Sequence, residues 1–385
     1  MWALLANISR GYAPILLLPL TVLIGLVGYS VESYIRPPRR KIKGKSIEEI
    51  RNERYLQEIE NKTFGDSKFK PLIQDQDQEN ENENEWRNWR IKNSKTYDRR
   101  EEELRRMNWE NNRIFVDKEN SNNNSYKLEV NKFGDLTHQE FSINYLIPQE
   151  LNLNYSDNTS LADVEYSGEL PSSWDWREYG VVTPVKDQGV CGSCYAFSAT
   201  GALEGQYKLH YGELVSFSEQ QVVDCSRGYG NWDCSGGWMV YVFNYWKKYG
   251  AEMSEDYPYN GELGSCTYSS IDVKIRVQAY RSIRASDSDM MNTLVSIGPV
   301  AIAIDASSKS FHFYNSGVYR DYSCSSRKFT HAMLAVGYGS WEGEDYWLVK
   351  NSWGTSWGEE GYVRIARGYN MCGILSRASY PFIPV

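Results

Sequence analysis

The chain has 385 residues, 41% hydrophobic and 24% charged, with a net charge of −8 and a pI near 5.3. That length exceeds one average domain, so two or more structural units are expected. A general nucleic-acid binder is excluded, because its electrostatic footprint is basic. The one basic cluster, Arg36 to Lys45, follows an apolar run and fits a membrane surface instead.

Gly11 to Val31 is 21 positions without a charged residue, which predicts a membrane-spanning helix. A secretory signal peptide has a shorter apolar core and a small-x-small cleavage site, and no such site precedes Arg36-Pro-Pro-Arg-Arg. Ser46 to Glu60 reads as a charged helix. Gln74 to Glu85 is a polar low-complexity tract, read as a linker, and aromatic residues resume at Trp86 and Trp89. A helical pattern follows to about Asn120, where Glu101, Arg105, Trp109, Asn112, Val116 and Asn120 share one face.

From Leu170 onward the texture shifts to Trp, Tyr, Gly and Cys in short segments. Cys194 to Leu209 is predicted as a helix, with Phe197, Thr200, Leu203, Glu204 and Tyr207 at three and four spacing and Gly212 beyond its end. Ala332 to Tyr338, Tyr346 to Lys350 and Tyr362 to Ala366 are predicted strands. A helix first and strands later point to an α+β enzyme with two halves facing one another.

All seven cysteines fall between Cys191 and Cys372. Six can pair in an oxidising compartment, and the odd one left over marks a reactive thiol. A zinc site is disfavoured, since the close pair Cys191 and Cys194 lacks a second close pair or a nearby histidine. In Gln188-Gly189-Val190-Cys191-Gly192-Ser193-Cys194-Tyr195, two glycines shape a tight loop that delivers Cys194 to a helix N-terminus. That position favours thiolate over thiol, and its N–H groups, with the Gln188 amide, can hold an oxyanion.

A thiolate nucleophile needs an acid to protonate the leaving amine, and the chain offers four histidines. His138 lies in the N-terminal half, His210 at the far end of the Cys194 helix, and His312 between two phenylalanines, where packing accounts for it. His331 opens a strand from which an imidazole can reach across a cleft. Asn351 follows a strand expected beside it and can fix the imidazole tautomer, with Trp353 shielding that bond from water.

These motifs, with Cys234-Ser-Gly-Gly, Gly298-Pro299, Tyr346-Trp-Leu-Val-Lys-Asn-Ser-Trp-Gly and Cys372-Gly-Ile, resemble the papain family, and within it the cathepsin L-like branch, over about 86–385. The resemblance implies a papain-like two-domain fold, with a helical left domain built on a central helix and a right domain built on an antiparallel β-barrel. It implies a cysteine endopeptidase working through a thioester acyl-enzyme on protein and peptide substrates, with no cofactor or metal. It places Cys194 as nucleophile, His331 as acid–base, Asn351 as orienting group, and Gln188 with Cys194 in the oxyanion hole. It pairs Cys191 with Cys234, Cys225 with Cys266 and Cys324 with Cys372, leaving Cys194 unpaired. Around the substrate it places Gly236, Gly237, Trp238, Met239, Ala303, Phe329, Ala332, Trp353 and Arg377. Tyr195, Thr330 and Ala332 depart from the common pattern without removing a catalytic group.

The Glu101 to Asn120 face and Asn131-Lys132-Phe133-Gly134-Asp135 resemble the inhibitory pro-region of the same branch, with Glu129 where glycine is usual. The expected organisation is a membrane segment and charged tail at 1–73, a linker at 74–85, an inhibitory pro-domain at 86–168 and a mature peptidase at 169–385. In residues 1 to about 73, Met1-Trp2, Tyr12-Ala13-Pro14, Gly25-Leu-Val-Gly-Tyr29, Ile35-Arg36 and Phe69-Lys-Pro71-Leu resemble the small integral membrane protein twelve family, which implies membrane attachment through 11–31 and marks the chain as composite. The rival readings are a catalytically silent papain-like binding protein and a membrane-anchored adaptor. The presence of both Cys194 and His331 favours the enzyme.

Overall fold

The computed structural model describes residues 76–148, 161–162 and 168–384. The predicted span at 11–31 and the helix at 46–60 lie outside these residues, and among the described residues no helix is long and apolar enough to cross a membrane. The described residues from Asn80 onward form one compact unit.

Two long helices open the described part of the chain. Gln76–Lys92 includes most of the tract read as a linker, so that reading is corrected. The tract's Glu and Gln residues are good helix formers, Glu83 and Glu85 pair with Arg106 and Arg113 of the second helix, and Asn82 is buried. The second helix, Arg99–Ser121, starts at Asp98, whose side chain accepts from the Arg100 and Glu101 N–H groups. Its buried face is Arg105, Asn108, Trp109, Asn112 and Val116. Trp109 packs with Trp86 and Trp89 in a small aromatic core.

The same face clamps the Asn131–Asp135 turn. Asn112 Nδ2 donates to the carbonyls of Gly134 (2.7 Å) and Leu136 (2.9 Å), and Trp89 Nε1 to those of Val130 and Asn131, both at 3.0 Å. A Cβ on Gly134 would lie 2.5 Å from Val130 Cγ1, so the turn requires glycine. Glu129, unusual by sequence, is paired with Lys92 at 2.6 Å.

In the catalytic half, the helix Cys194–Tyr211 runs through the interior and ends at Gly212, which takes the left-handed φ of 75°. Against it lies the strand His331–Trp341, which opens at His331 as expected and runs further at its C-terminal end, its first nine residues buried. This strand pairs antiparallel with Val300–Ile304 and Glu344–Lys350, with His331 opposite Ile304 and Leu334 opposite Lys350. A Cβ on Gly201 would lie 2.7 Å from Leu334 Cδ2, and that missing side chain lets helix and strand meet. The ten-stranded sheet is mostly antiparallel, with parallel pairing of Tyr362–Ala366 to Tyr314–Tyr319 and of Leu161–Ala162 to Ala279–Ile283. The pro-region strand Tyr126–Leu128 extends it by pairing with Tyr314–Tyr319. Gly317, at φ +89°, admits that strand: a Cβ there would lie 2.3 Å from Ser125 O.

A buried polar cluster joins helix to sheet. Lys186 Nζ contacts Glu219 at 2.6 Å and Glu204 at 2.9 Å, Thr183 donates to Glu204 at 2.6 Å, and Lys350 donates to Thr183 at 3.0 Å. Burial holds Lys350 down at about 8, with the Glu204 charge acting against it. Burial also works against charge on Lys186, but the two carboxylates outweigh it and raise its pKa. Lys186→Met leaves two buried carboxylates short of a partner. It is expected to destabilise the protein by about 3–5 kcal/mol, read as a lower urea midpoint.

Candidate active site

The loop Gln188 to Ser193 is fixed from several sides. Cys191 is bonded to Cys234 (S–S 2.07 Å), and the Gly192 N–H donates to Cys234 O at 2.9 Å. A Cβ on Gly192 would lie 2.7 Å from that carbonyl, so only glycine fits. Two more disulfides, Cys225–Cys266 and Cys324–Cys372, leave Cys194 as the free cysteine among the described residues.

Cys194 sits at the first turn of its helix, fully buried, and the Ala332 N–H donates to its Sγ at 3.4 Å. That bond puts the sulfur beside the start of the His331 strand. His331 Nε2 is 2.7 Å from Asn351 Oδ1, and its Nδ1 has no hydrogen-bond partner among the described residues. Trp353, itself fully buried, stacks on the imidazole at a centroid distance of 4.4 Å. Asn351 Oδ1 also accepts the Ser352 N–H at 2.8 Å, so the backbone aims the amide. Gln188 Nε2 donates to Cys191 O at 3.0 Å, and its Oε1 accepts from Ser352 Oγ at 2.8 Å.

The expected lowering of the thiol pKa does not hold in this state. Burial pushes Cys194 up to about 12, outweighing the N–H groups of Ala332, Tyr195 and Cys194 that favour thiolate. Burial likewise holds His331 down at about 4 against its bond to Asn351. Burial in the covered site therefore favours the neutral form of both groups.

The pro-region supplies part of that cover. Gln188 Nε2 lies 3.5 Å from Tyr145 O, and the Ile147 N–H donates to Thr330 O at 2.6 Å, so the segment passes over both sides of the site. Phe141 and Phe133 pack edge-on to Trp353, at 5.2 and 5.7 Å. Ile147 joins the buried cluster that contains Trp238, Met239, Ala303, Phe329 and Ala332.

The other expected substrate residues lie around this cluster. Gly236 is at φ +120°, and a Cβ on Gly237 would lie 2.3 Å from Asn231 Oδ1, so both positions need glycine. Trp238 meets Phe329 edge-on at 6.2 Å. Arg377 is half-buried, its guanidinium 5.3 Å from the Phe329 ring centroid. Thr330 is anchored by its Oγ1, which accepts the Ala306 N–H at 2.9 Å, and Tyr195 OH donates to Asp233 O at 3.0 Å. Among the described residues, no group of three or more His, Cys, Asp or Glu could hold a metal ion.

Residues 170–382 match the model of the papain family cysteine proteases, and residues 86–141 that of the cathepsin propeptide inhibitor domain. The chain belongs to the papain family. Residues 1–72 match the UPF0767 family. The chain is 44% identical over 320 residues to a cathepsin L-like peptidase of Aedes aegypti, covering 78% of this chain and 93% of the relative. It is 41% identical over 310 residues to procathepsin L of Mus musculus, covering 78% and 92%. Among solved structures, digestive procathepsin L 3 of Tenebrio molitor superposes with a TM-score of 0.72 at 37% identity, covering 78% of this chain and 99% of that one. The papain-like fold, the cysteine protease activity and manufacture as a zymogen follow.

Sequence reasoning missed the contact between the pro-region and His312. His312 is buried, stacked on Phe141 at 3.6 Å and on His138 at 5.2 Å, with Phe141 and His138 both on the pro-region helix His138–Tyr145. The signal available was a histidine between phenylalanines, which says packed but not against what. Burial, then His138 and Lys309, hold His312 well below the usual value; burial, then Lys309 and Lys328, lower His138. The docked state thus binds fewer protons than the released one. Docking is fully supported above the free histidine pKa of about 6.5 and weakens as pH falls through the docked values. His138→Phe keeps a ring on the stack without the charge. It is expected to move the pH midpoint of pro-segment release to lower pH, and an unchanged midpoint would show that this stack does not contribute.

Proposed function

We propose that Cys194 is the nucleophile of this cysteine protease, His331 its acid–base partner and Asn351 the orienting group, with Gln188 and the Cys194 N–H as oxyanion donors. The bond from His331 Nε2 to Asn351 Oδ1 at 2.7 Å carries this reading, because it fixes the ring and leaves Nδ1 for the sulfur. Once the pro-segment leaves, water reaches the pair and the burial that holds both groups neutral is relieved. The Cys194 proton then passes to His331, the thiolate attacks the scissile carbonyl, and the imidazolium gives that proton to the leaving amine; water, losing a proton to His331, attacks the thioester, and the C–S bond breaks to release the acid and restore the Cys194 thiol.

The mature enzyme is proposed to begin near Glu169, after the inhibitory pro-domain. Three disulfides fit an oxidising compartment, lysosomal or secreted. Cys194→Ala is expected to abolish peptide hydrolysis while leaving all three disulfides in place. His331→Ala should be nearly as severe, whereas Asn351→Ala should retain measurable turnover, because an orienting amide contributes less than either reacting partner. Hydrolysis by pure Cys194→Ala protein would refute the assignment.

The same reading places Trp238, Met239, Ala303, Phe329 and Ala332 around the side chain second before the cleaved bond, with Gly236 and Gly237 against the substrate backbone. The position of Arg377 over the Phe329 ring supports a role at that pocket's floor, where its guanidinium donates to an acidic side chain of the substrate. A peptide library varied at this position should show the ratio of Glu to Leu cleavage falling in Arg377→Ala. An unchanged ratio means that Arg377 contributes packing only.

A further inference from the structure

Tyr259 reaches the loop that carries Gln188 and Cys194 from a different part of the chain. Its ring stands edge-on to Phe197 at 5.0 Å. Its hydroxyl donates to Gln188 O at 2.7 Å and lies 2.7 Å from Ser193 Oγ. A phenol has one proton. With that proton on the Gln188 carbonyl, the Ser193 hydroxyl must donate to the Tyr259 oxygen. The alternative acceptor for Ser193, Cys191 O, is 3.4 Å away, too long for a normal O–H···O bond.

Gln188 is thereby held at every polar atom. Its N–H donates to Ser352 O at 2.8 Å, its side-chain oxygen accepts from Ser352 Oγ at 2.8 Å, its amide nitrogen donates to Cys191 O at 3.0 Å, and its carbonyl accepts from Tyr259. Ser193 is the N-cap residue of the Cys194 helix, yet its side chain makes no capping bond. Its hydroxyl goes to Tyr259, away from the first-turn N–H groups, and those of Cys194 and Tyr195 act on the sulfur.

We propose that Tyr259 is a positioning residue for the oxyanion hole, a strut tying Gln188 to the residue before Cys194 so that side-chain and backbone donors keep their spacing. It rests on the assignment of Cys194 and Gln188 above. Oxyanion stabilisation depends on donors already in place when charge develops, so a loosened Gln188 slows acyl transfer. Alkylation of the thiolate by iodoacetamide forms no oxyanion and does not use Gln188.

The test compares activated wild-type enzyme with Tyr259→Phe. For a peptide amide, kcat is expected to fall about tenfold with KM within about twofold, below the loss seen when a whole donor is removed. The rate of iodoacetamide alkylation at Cys194 and its pH profile should stay unchanged. Ser193→Ala alone, which keeps the bond from Tyr259 to Gln188, should lower kcat less, and adding it to Tyr259→Phe should cost nothing further. If Tyr259→Phe does not fold or activate, Ser193→Ala decides: lower kcat with unchanged alkylation supports the strut. An unchanged kcat, or kcat and alkylation falling together, overturns the proposal. Wild-type enzyme alkylated elsewhere than Cys194 overturns the nucleophile assignment itself, an outcome distinct from either.

Discussion

Burial of a titratable pair between one helix and one strand is the constraint on which this structure depends. Cys194 and His331 are both fully shielded, and a low-dielectric site disfavours the charged form of each. The features that would make a thiolate are present: a helix N-terminus, the N–H of Ala332 and an imidazole fixed by Asn351. In the zymogen desolvation outweighs them. The pro-segment adds to the cover over a site where burial disfavours charge on both groups.

Holding that pair in register demands a rigid junction behind it. The cluster of Lys186, Glu204, Glu219, Thr183 and Lys350 lies between the Cys194 helix and the sheet, and Lys350 directly precedes Asn351. A small internal cavity of about 20 Å³, room for one water, is lined by these Lys and Glu residues together with Asn351 and Ser352. Buried ions are costly singly and tolerable when every one is paired, so the cluster favours one arrangement of helix and strand over its neighbours.

The pro-domain docks by means that are strong together and separable in origin. Main-chain pairing at Tyr126–Leu128 supplies direction. The aromatic residues Phe133 and Phe141 seat on Trp353, which itself covers His331, so docking and the state of the imidazole share one ring. The stacked pair His138 and His312 adds dependence on pH at the same face.

The sequence by itself determined the Cys194 helix, its glycine stop, the three strands around His331 and the buried face of the pro-region helix. Each is written in local periodicity and in residues with narrow conformational use. Its odd cysteine count called for one free thiol, the loop before the helix pointed to Cys194 with Gln188, and the strand order pointed to His331 with Asn351. The helical start of the Gln74 to Glu85 tract was not legible, because its pairing with Arg106 and Arg113 is tertiary. Nor was the direction of the Cys194 pKa, which follows from how deeply the folded chain buries the sulfur. Tyr259 carried no signal of its own, being one tyrosine among 29. Only the fold placed its hydroxyl between Gln188 and Ser193, since hydrogen-bond partners distant in sequence are chosen by packing and not by pattern.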